Sequence, residues 1–552
     1  MLRSMRKLDG WSAIALGLTA FYLLTVVWPL FGLLGSSATN DAGEFSLDNF
    51  VQFFTTPYYY QTLINSLLVT VCVTALALLV AFPLSYIMTM FRVRGNTTIQ
   101  ILILASMMSP PFIGAYSWIL LLGNNGMITN FASKVLGFRV PSIYGFPGIL
   151  LVLTLQLVPL IFTYLMGAWK TVDVSLLEAA ESMGSTGIRR AFKVIAPLLM
   201  PTVLAGSLLV FVRAFADFGT PMLIGQGYRT VPVLIYSSFV GEVSTSRGFA
   251  AAVSVLVMVL TLAIFLLQRY FVAKRTFSMT ALRTIEPKKI RGWKNALSHV
   301  YVYGYLTLAI APLLVVIVSS FRNTLYGQFV SGFSFENYGL ASRDIWKMLK
   351  NTVVIGLLAL VLLVVVSVLV SYLSVRRPNF LTGALDVLTM VPYVVPGLVI
   401  GIAFVLAFSS GPFKITGTMT IMVLALMLRR LSYTVRSTSA LLYQHSPSIE
   451  EAATSLGASK MKTLLRIVVP MLAPGILSGA ILSWVTIITE LSTTLFLYTN
   501  QTQTLSLGIY ATVIRGQMGT AAALSTILLA MTIGSLFVFM RLPGGSKHTT
   551  AV

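Results

Sequence analysis

The chain has 552 residues, 57% of them hydrophobic and only 10% charged, against about 25% charged in ordinary soluble domains. Apolar runs of roughly 20 residues, enough to cross a bilayer, recur along its whole length, so the pattern excludes a soluble globular protein. The net charge of +22 suggests a nucleic-acid binder in size, but its placement between apolar runs reads as membrane orientation, with lipid and no nucleic acid as partner.

In chain order the pattern predicts an all-α polytopic membrane protein with about twelve spans. They lie near 12–34, 62–90, 98–122, 146–169, 198–222, 249–270, 298–320, 351–374, 381–409, 417–440, 472–498 and 520–540. The basic opening Arg3, Arg6 and Lys7 resembles the start of a signal peptide. Its apolar run is longer than a signal core, and Ser36-Ser37-Ala38-Thr39-Asn40 offers no convincing cleavage site, so an uncleaved anchor is expected. Twelve spans put both termini on one side, and most Lys and Arg collect there. Arg213 lies within a span. Basic loops face the cytoplasm, so a bacterial inner-membrane protein with both termini cytoplasmic is expected. Cys72 is the lone cysteine, and His299, His445 and His548 lack metal-ligand spacing. No metal site or bound cofactor is expected.

The two halves repeat one another. Asn65-Ser66 matches Asn351-Thr352, Ser85-Tyr86 matches Ser371-Tyr372, and Pro110 matches Pro396, each pair 286 positions apart. Glu178 matches Glu451 and Pro197 matches Pro470 at 273 positions. The first half therefore carries about thirteen extra residues near Asn124–Tyr144, where a loop tolerates insertion. A first repeat over 1–272, a basic linker over 273–296 and a second repeat over 297–552 follow. Six spans per half orient both alike, giving a parallel repeat about an axis along the membrane normal.

Within the repeat, Ser175-Leu-Leu-Glu178-Ala179-Ala180-Glu-Ser-Met-Gly184 recurs as Ser448-Ile-Glu-Glu451-Ala452-Ala453-Thr-Ser-Leu-Gly457. Ser175 with Glu178, and Ser448 with Glu451, fit a capping box that starts a short helix. Leu176, Ala180, Gly184, Ile188 and Phe192 lie four apart, as do Ile449, Ala453, Gly457, Met461 and Leu465. Such rows make one helix face. A glycine inside a helix costs about 1 kcal/mol relative to Ala, so each Gly implies close approach by another surface or a turn between two helices.

These segments resemble the signature of the membrane subunits of binding-protein-dependent ABC importers of type I fold. That signature is Glu-Ala-Ala, three residues, Gly, nine residues, then Ile-x-Leu-Pro. Val194 and Ala196 in the first copy and Val469 in the second are conservative departures. The resemblance covers the full length. It implies coupling helices near 175–192 and 448–465, docked on a cytoplasmic ATPase homodimer that uses ATP and Mg, and a periplasmic or extracellular solute-binding protein. The chain itself has no G-x-x-x-x-G-K-[ST] phosphate loop; Gly544-Gly-Ser-Lys547 lacks its spacing. No enzymatic constellation appears. The fusion, with Ala216-Asp-Phe-Gly-Thr-Pro221 and Thr489-Glu-Leu-Ser-Thr-Thr494, looks most like the ferric-iron permease branch. Related fused permeases handle thiamine, sugar phosphates or other small solutes. A gradient-driven transporter or a channel would not need the paired docking segments.

Charges inside the membrane face an interior or a watery path. Arg213 and Asp217 are four apart, and Asp217 and Glu490 are repeat mates 273 positions apart. Either Arg213 bridges Asp217 as a structural pair, or Asp217 and Glu490 flank the translocation pathway. Pro110-Pro111 and Pro392 with Pro396 interrupt the third and ninth spans, as packing kinks or as a gate lining the path. Tyr116 and Trp118 read as packing or interfacial residues.

Overall fold

The computed structural model describes residues 10–40, 42–107, 109–241, 247–274, 283, 285–410 and 413–541. The basic opening at 3–7, linker residues 275–282 and 284, and the tail with residues 544–548 lie outside them. The first half runs α1 (Gly10–Ser37), α2 (Pro57–Met90), α3 (Asn96–Met107), α4 (Pro111–Leu122), α5 (Phe146–Trp169) and α6 (Val174–Ser182). It continues with α7 (Lys193–Phe215), α8 (Gly219–Ile224), α9 (Val231–Val240) and α10 (Arg247–Lys274). The second half opens with α11 (Trp293–Ser320), a hairpin of β1 (Arg322–Leu325) and β2 (Gln328–Phe333), and α12 (Glu336–Arg376). Then come α13 (Phe380–Val394), α14 (Gly397–Phe408), α15 (Met419–Gln444), α16 (Ser448–Ser455), α17 (Lys460–Ile488), α18 (Thr494–Leu497), α19 (Leu505–Ile514) and α20 (Met518–Arg541).

Among the described residues nine helices are long and apolar enough to cross a membrane, or up to eleven if each of two bent pairs is one span. The expected span near 417–440 corresponds to α15, which carries Arg429, Arg430 and Arg436 and is therefore not apolar along its length. Its place is fixed by packing. In the first half α2, α5 and α7 pack on one another, and in the second α12, α15 and α17 do the same. Small hydroxyl residues join these helices: Thr434 and Ser483 lie 3.2 Å apart, and Ser437 Oγ donates to Gly475 O at 2.8 Å. Such bonds hold helices together where lipid is as apolar as the side chains.

The two bent pairs are the proline-interrupted segments. The chain turns by 100° in the segment that contains α3 and α4, and by 109° between α13 and α14. Pro110 (φ −56°, ψ 133°) and Pro396 (φ −56°, ψ 146°) stand at the start of α4 and α14 in nearly the same extended conformation. A proline ring fixes φ and withholds a donor, so both halves break at the matched position. Tyr116, on α4, is fully buried and donates to Met518 O of the other half. Trp118 is also buried.

The first helix of each half crosses to the other. α1 packs against α13 and α14, and α11 packs against α3 and α4. The matched Asn and hydroxyl pairs then clasp the chain ahead of α9 and α19. Asn65 Nδ2 donates to Arg229 O at 3.0 Å, and Ser66 Oγ accepts from Val231 N at 2.8 Å. Asn351 Nδ2 donates to Gln501 O and Gln503 O at 2.7 and 3.0 Å, and Thr352 Oγ1 accepts from Leu505 N at 2.9 Å. The sequence pattern contains no signal for the β-hairpin. Its two-residue turn, Tyr326-Gly327, has positive φ at both positions, the geometry that suits the twist of a tight hairpin.

Candidate functional site: paired surface helices and a buried arginine cluster

The capping boxes form differently from expectation. Asp173 caps α6, its Oδ1 accepting from Ser175 N at 2.9 Å. Asp is as good a cap as Ser and lies two residues upstream, so the helix starts earlier and Ser175 sits inside its first turn. Glu178 is thereby free to approach Arg283 at 3.6 Å on the exposed face. In α16 the position before the helix is Pro447, and Ser446 Oγ accepts from Ser448 N at 3.3 Å.

The glycines end these helices in a turn, the second of the two roles expected of them. Gly184 has φ +76° and Gly457 φ +84°. Ser185 N donates to Ala180 O at 2.8 Å and Gly184 N to Glu181 O at 2.9 Å. Ala458 N donates to Ala453 O at 3.0 Å and Gly457 N to Thr454 O at 2.9 Å. This paired pattern closes a helix through a left-handed residue, where glycine bears no Cβ penalty. The expected continuous face over 176–192 and 449–465 is therefore two short helices with a turn between them. The side chains of Ile188 and Phe192 lie outside the described residues. Ala180 and Ala453 are buried beneath, while Ser175, Glu178, Ala179, Ser448, Glu451 and Ala452 face outward. At the two tips stand Met183, 81% exposed, and Leu456, 89% exposed, again 273 positions apart. Two matched apolar tips facing solvent are surfaces that burial would favour.

The second constellation is internal. The Arg213–Asp217 bridge is not formed: α7 ends at Phe215, so Asp217 lies past the last turn and no longer sits above Arg213. Asp217 Oδ1 instead accepts from Thr220 N at 2.9 Å and caps α8. Its repeat mate does the same, Glu490 Oε1 accepting from Thr493 N at 3.1 Å ahead of α18. Glu490 has a further task. Arg429 Nη1 bonds it at 2.7 Å and also donates to Thr493 Oγ1, and Arg430 Nη2 binds its other oxygen. Arg213 crosses between the halves, Nη2 donating to Tyr433 OH at 3.1 Å. The Tyr433 ring stands edge-on to Tyr393 at 5.4 Å.

The bend at Pro396 belongs to this cluster. A Cβ at Gly397 would lie 1.7 Å from Arg429 Nη1 and 2.7 Å from Thr493 Oγ1. Any added Cβ would force the Arg429 guanidinium or the broken span to shift. Arg429, Arg430 and Gly397 were missed from the sequence because the apolar stretch around them dominates the pattern. Three arginines in one span were the available signal, since intramembrane charge marks function by default. In the first half the broken span passes α8 at Gly219, where an added Cβ would lie 3.1 Å from Phe112 Cβ. Among the described residues no group of three or more His, Cys, Asp or Glu could hold a metal ion.

Matched broken spans and matched surface helices in the two halves mark a duplicated, multi-pass membrane protein. Residues 75–277 and 364–542 each match the family described as the binding-protein-dependent transport system inner membrane component, and the chain belongs to that family. It is an ABC importer permease. It is 27% identical over 521 residues to a ferric transport system permease protein, FbpB, of Actinobacillus pleuropneumoniae, covering 92% of this chain and 74% of the relative. A putative ferric transport system permease protein, FbpB 1, of Haemophilus influenzae is 28% identical over 519 residues, covering 91% and 80%. A putative 2-aminoethylphosphonate transport system permease protein, PhnU, of Salmonella typhimurium is 27% identical over 253 residues, covering 45% of this chain and 87% of the relative.

Proposed function

We propose that this permease carries ferric iron inward, delivered by a periplasmic or extracellular binding protein and driven by a separate cytoplasmic ATPase dimer that uses ATP and Mg. The observation that carries the coupling half of this reading is the pair of matched helices α6 and α16. Each ends on a left-handed glycine and presents one bare apolar tip, Met183 or Leu456. Two equivalent knobs suit a two-fold symmetric motor, and Ser175, Glu178, Ala179, Ser448, Glu451 and Ala452 form the outward faces that would meet it. Closure of the dimer on nucleotide would push both levers together. The broken spans at Pro110 and Pro396, with Arg213, Asp217 and Glu490 beside the interface between halves, then supply the moving path. The concentration of basic residues in the loops on their side supports a cytoplasmic position for the levers and both termini.

The iron reading rests on the two ferric transport relatives, each matched along most of the chain. A phosphonate solute is the second reading, favoured by the half-length match to the aminoethylphosphonate permease. Reconstitution with the cognate ATPase and binding protein tests the function. ATP-dependent iron uptake, with ATP hydrolysis stimulated by the loaded binding protein, is expected. Uptake driven by an ion gradient without ATP would overturn the importer mechanism, and ATP-dependent uptake of another solute would overturn iron alone.

A further inference from the structure

The buried cluster between the halves holds an excess of positive charge. Arg429 and Arg430 share one carboxylate, Glu490, and Arg213 lies against Tyr433 of the same helix. Asp217 is turned to its own helix cap, and Arg213 meets a phenol, not a carboxylate. The side chains of Arg429 and Arg430 are only 14% and 15% exposed. Their Nε atoms are buried with no hydrogen-bond partner. Further along the same face of α15, Arg436 pairs with Asp386 at 2.9 Å and adds no net charge. The position matched to Arg429 in the first half is Gln156, and the position matched to Arg213 in the second is Thr486, so the cluster is not a by-product of the repeat.

Guanidinium forks match the geometry of phosphate and carboxylate oxygens, and rings of Arg or Lys select anions in membrane pores. A bare trivalent cation brought to this cluster would meet like charge in a medium that screens poorly. We infer that the solute crosses this interface as an anion, its phosphate, phosphonate or carboxylate oxygens on Arg213, Arg429 and Arg430, and that ferric iron passes only inside such an anionic complex. The inference rests on the reading that this chain forms the solute path, and it names the chemical class that path accepts.

The test uses proteoliposomes holding the permease with its ATPase, supplied with binding protein loaded with 55Fe and 32P-phosphate. Co-entry of both isotopes with ATP is expected and identifies an anionic ferric complex. Entry of 32P without iron also upholds the inference and points to a free oxyanion, while removing iron as the solute. Entry of 55Fe with the phosphate left outside overturns it. Arg213→Gln is the diagnostic variant, because its partner is neutral and no buried carboxylate is stranded. Uptake is expected to fall about tenfold or more, as for loss of a hydrogen bond to a charged group. Arg213→Lys keeps the charge but loses the planar fork, so its uptake is expected to fall between that of Arg213→Gln and the natural protein; unchanged uptake in Arg213→Gln overturns the inference. If neither isotope enters, the importer reading fails for these solutes, and the isolated permease decides. Its unfolding midpoint should rise in phosphate over chloride of equal ionic strength and lose that rise in Arg213→Gln; no rise overturns the inference.

Discussion

Glu490→Gln separates the two jobs of one residue. The amide keeps an oxygen for Thr493 N, so the cap of α18 survives, but the charge shared by Arg429 and Arg430 is gone. Both arginines are mostly buried, and breaking a buried ion pair from one side costs about 3–5 kcal/mol. The repeat mate supplies the control. Asp217→Asn retains the bond to Thr220 N and strands no arginine, and Asn caps as well as Asp, so about a few tenths of a kcal/mol is expected. Thermal unfolding in one detergent, followed by tryptophan fluorescence, should give a far larger fall in midpoint for Glu490→Gln. A triple change of Glu490, Arg429 and Arg430 to Leu should recover much of that loss, since apolar replacement of a whole buried ionic group is often neutral. Equal midpoints for the two single variants would refute the assignment of Glu490 as the counter-charge.

Gly397→Ala places a methyl 1.7 Å from the Arg429 guanidinium; a loss of about 1–3 kcal/mol is expected for such overpacking, and an unchanged unfolding midpoint would count against a fixed Arg429 position. Gly184→Ala and Gly457→Ala meet nothing within 4 Å, so each should cost only the left-handed strain of about 1–2 kcal/mol, with Gly→Asn milder, read by proteolysis at the helix end. Met183→Asp with Leu456→Asp should leave folding intact, because both side chains are exposed, yet weaken co-purification with the ATPase; full retention would remove these tips from the docking surface. A stable Asp217→Asn, Glu490→Gln double variant with normal uptake would remove both residues from the pathway.

Much of the architecture is legible in the chain because its determinants are local or periodic. Apolar runs need only neighbours in sequence to become helices. Pro110 and Pro396 act on their own backbone, so the two breaks follow from composition and spacing. The offset of 273 pairs Asp217 with Glu490 before any contact is known, and both turn out to cap the next helix. Local capping was less secure: Asp173 displaced Ser175 because two good caps stood two residues apart, and the better-placed one started the helix.

What the chain determined alone was therefore the duplicated, polytopic design and the place of its turns, since hydropathy, proline and left-handed glycine act within a few residues. Tertiary structure decided the partners. Arg429 and Arg430 reach Glu490 across 61 and 60 positions, Arg213 reaches Tyr433 across 220, and each half lends its first helix to the other. Charge pairing depends on which helix faces meet, and that follows from the packing of the whole bundle, not from the spacing along any one helix.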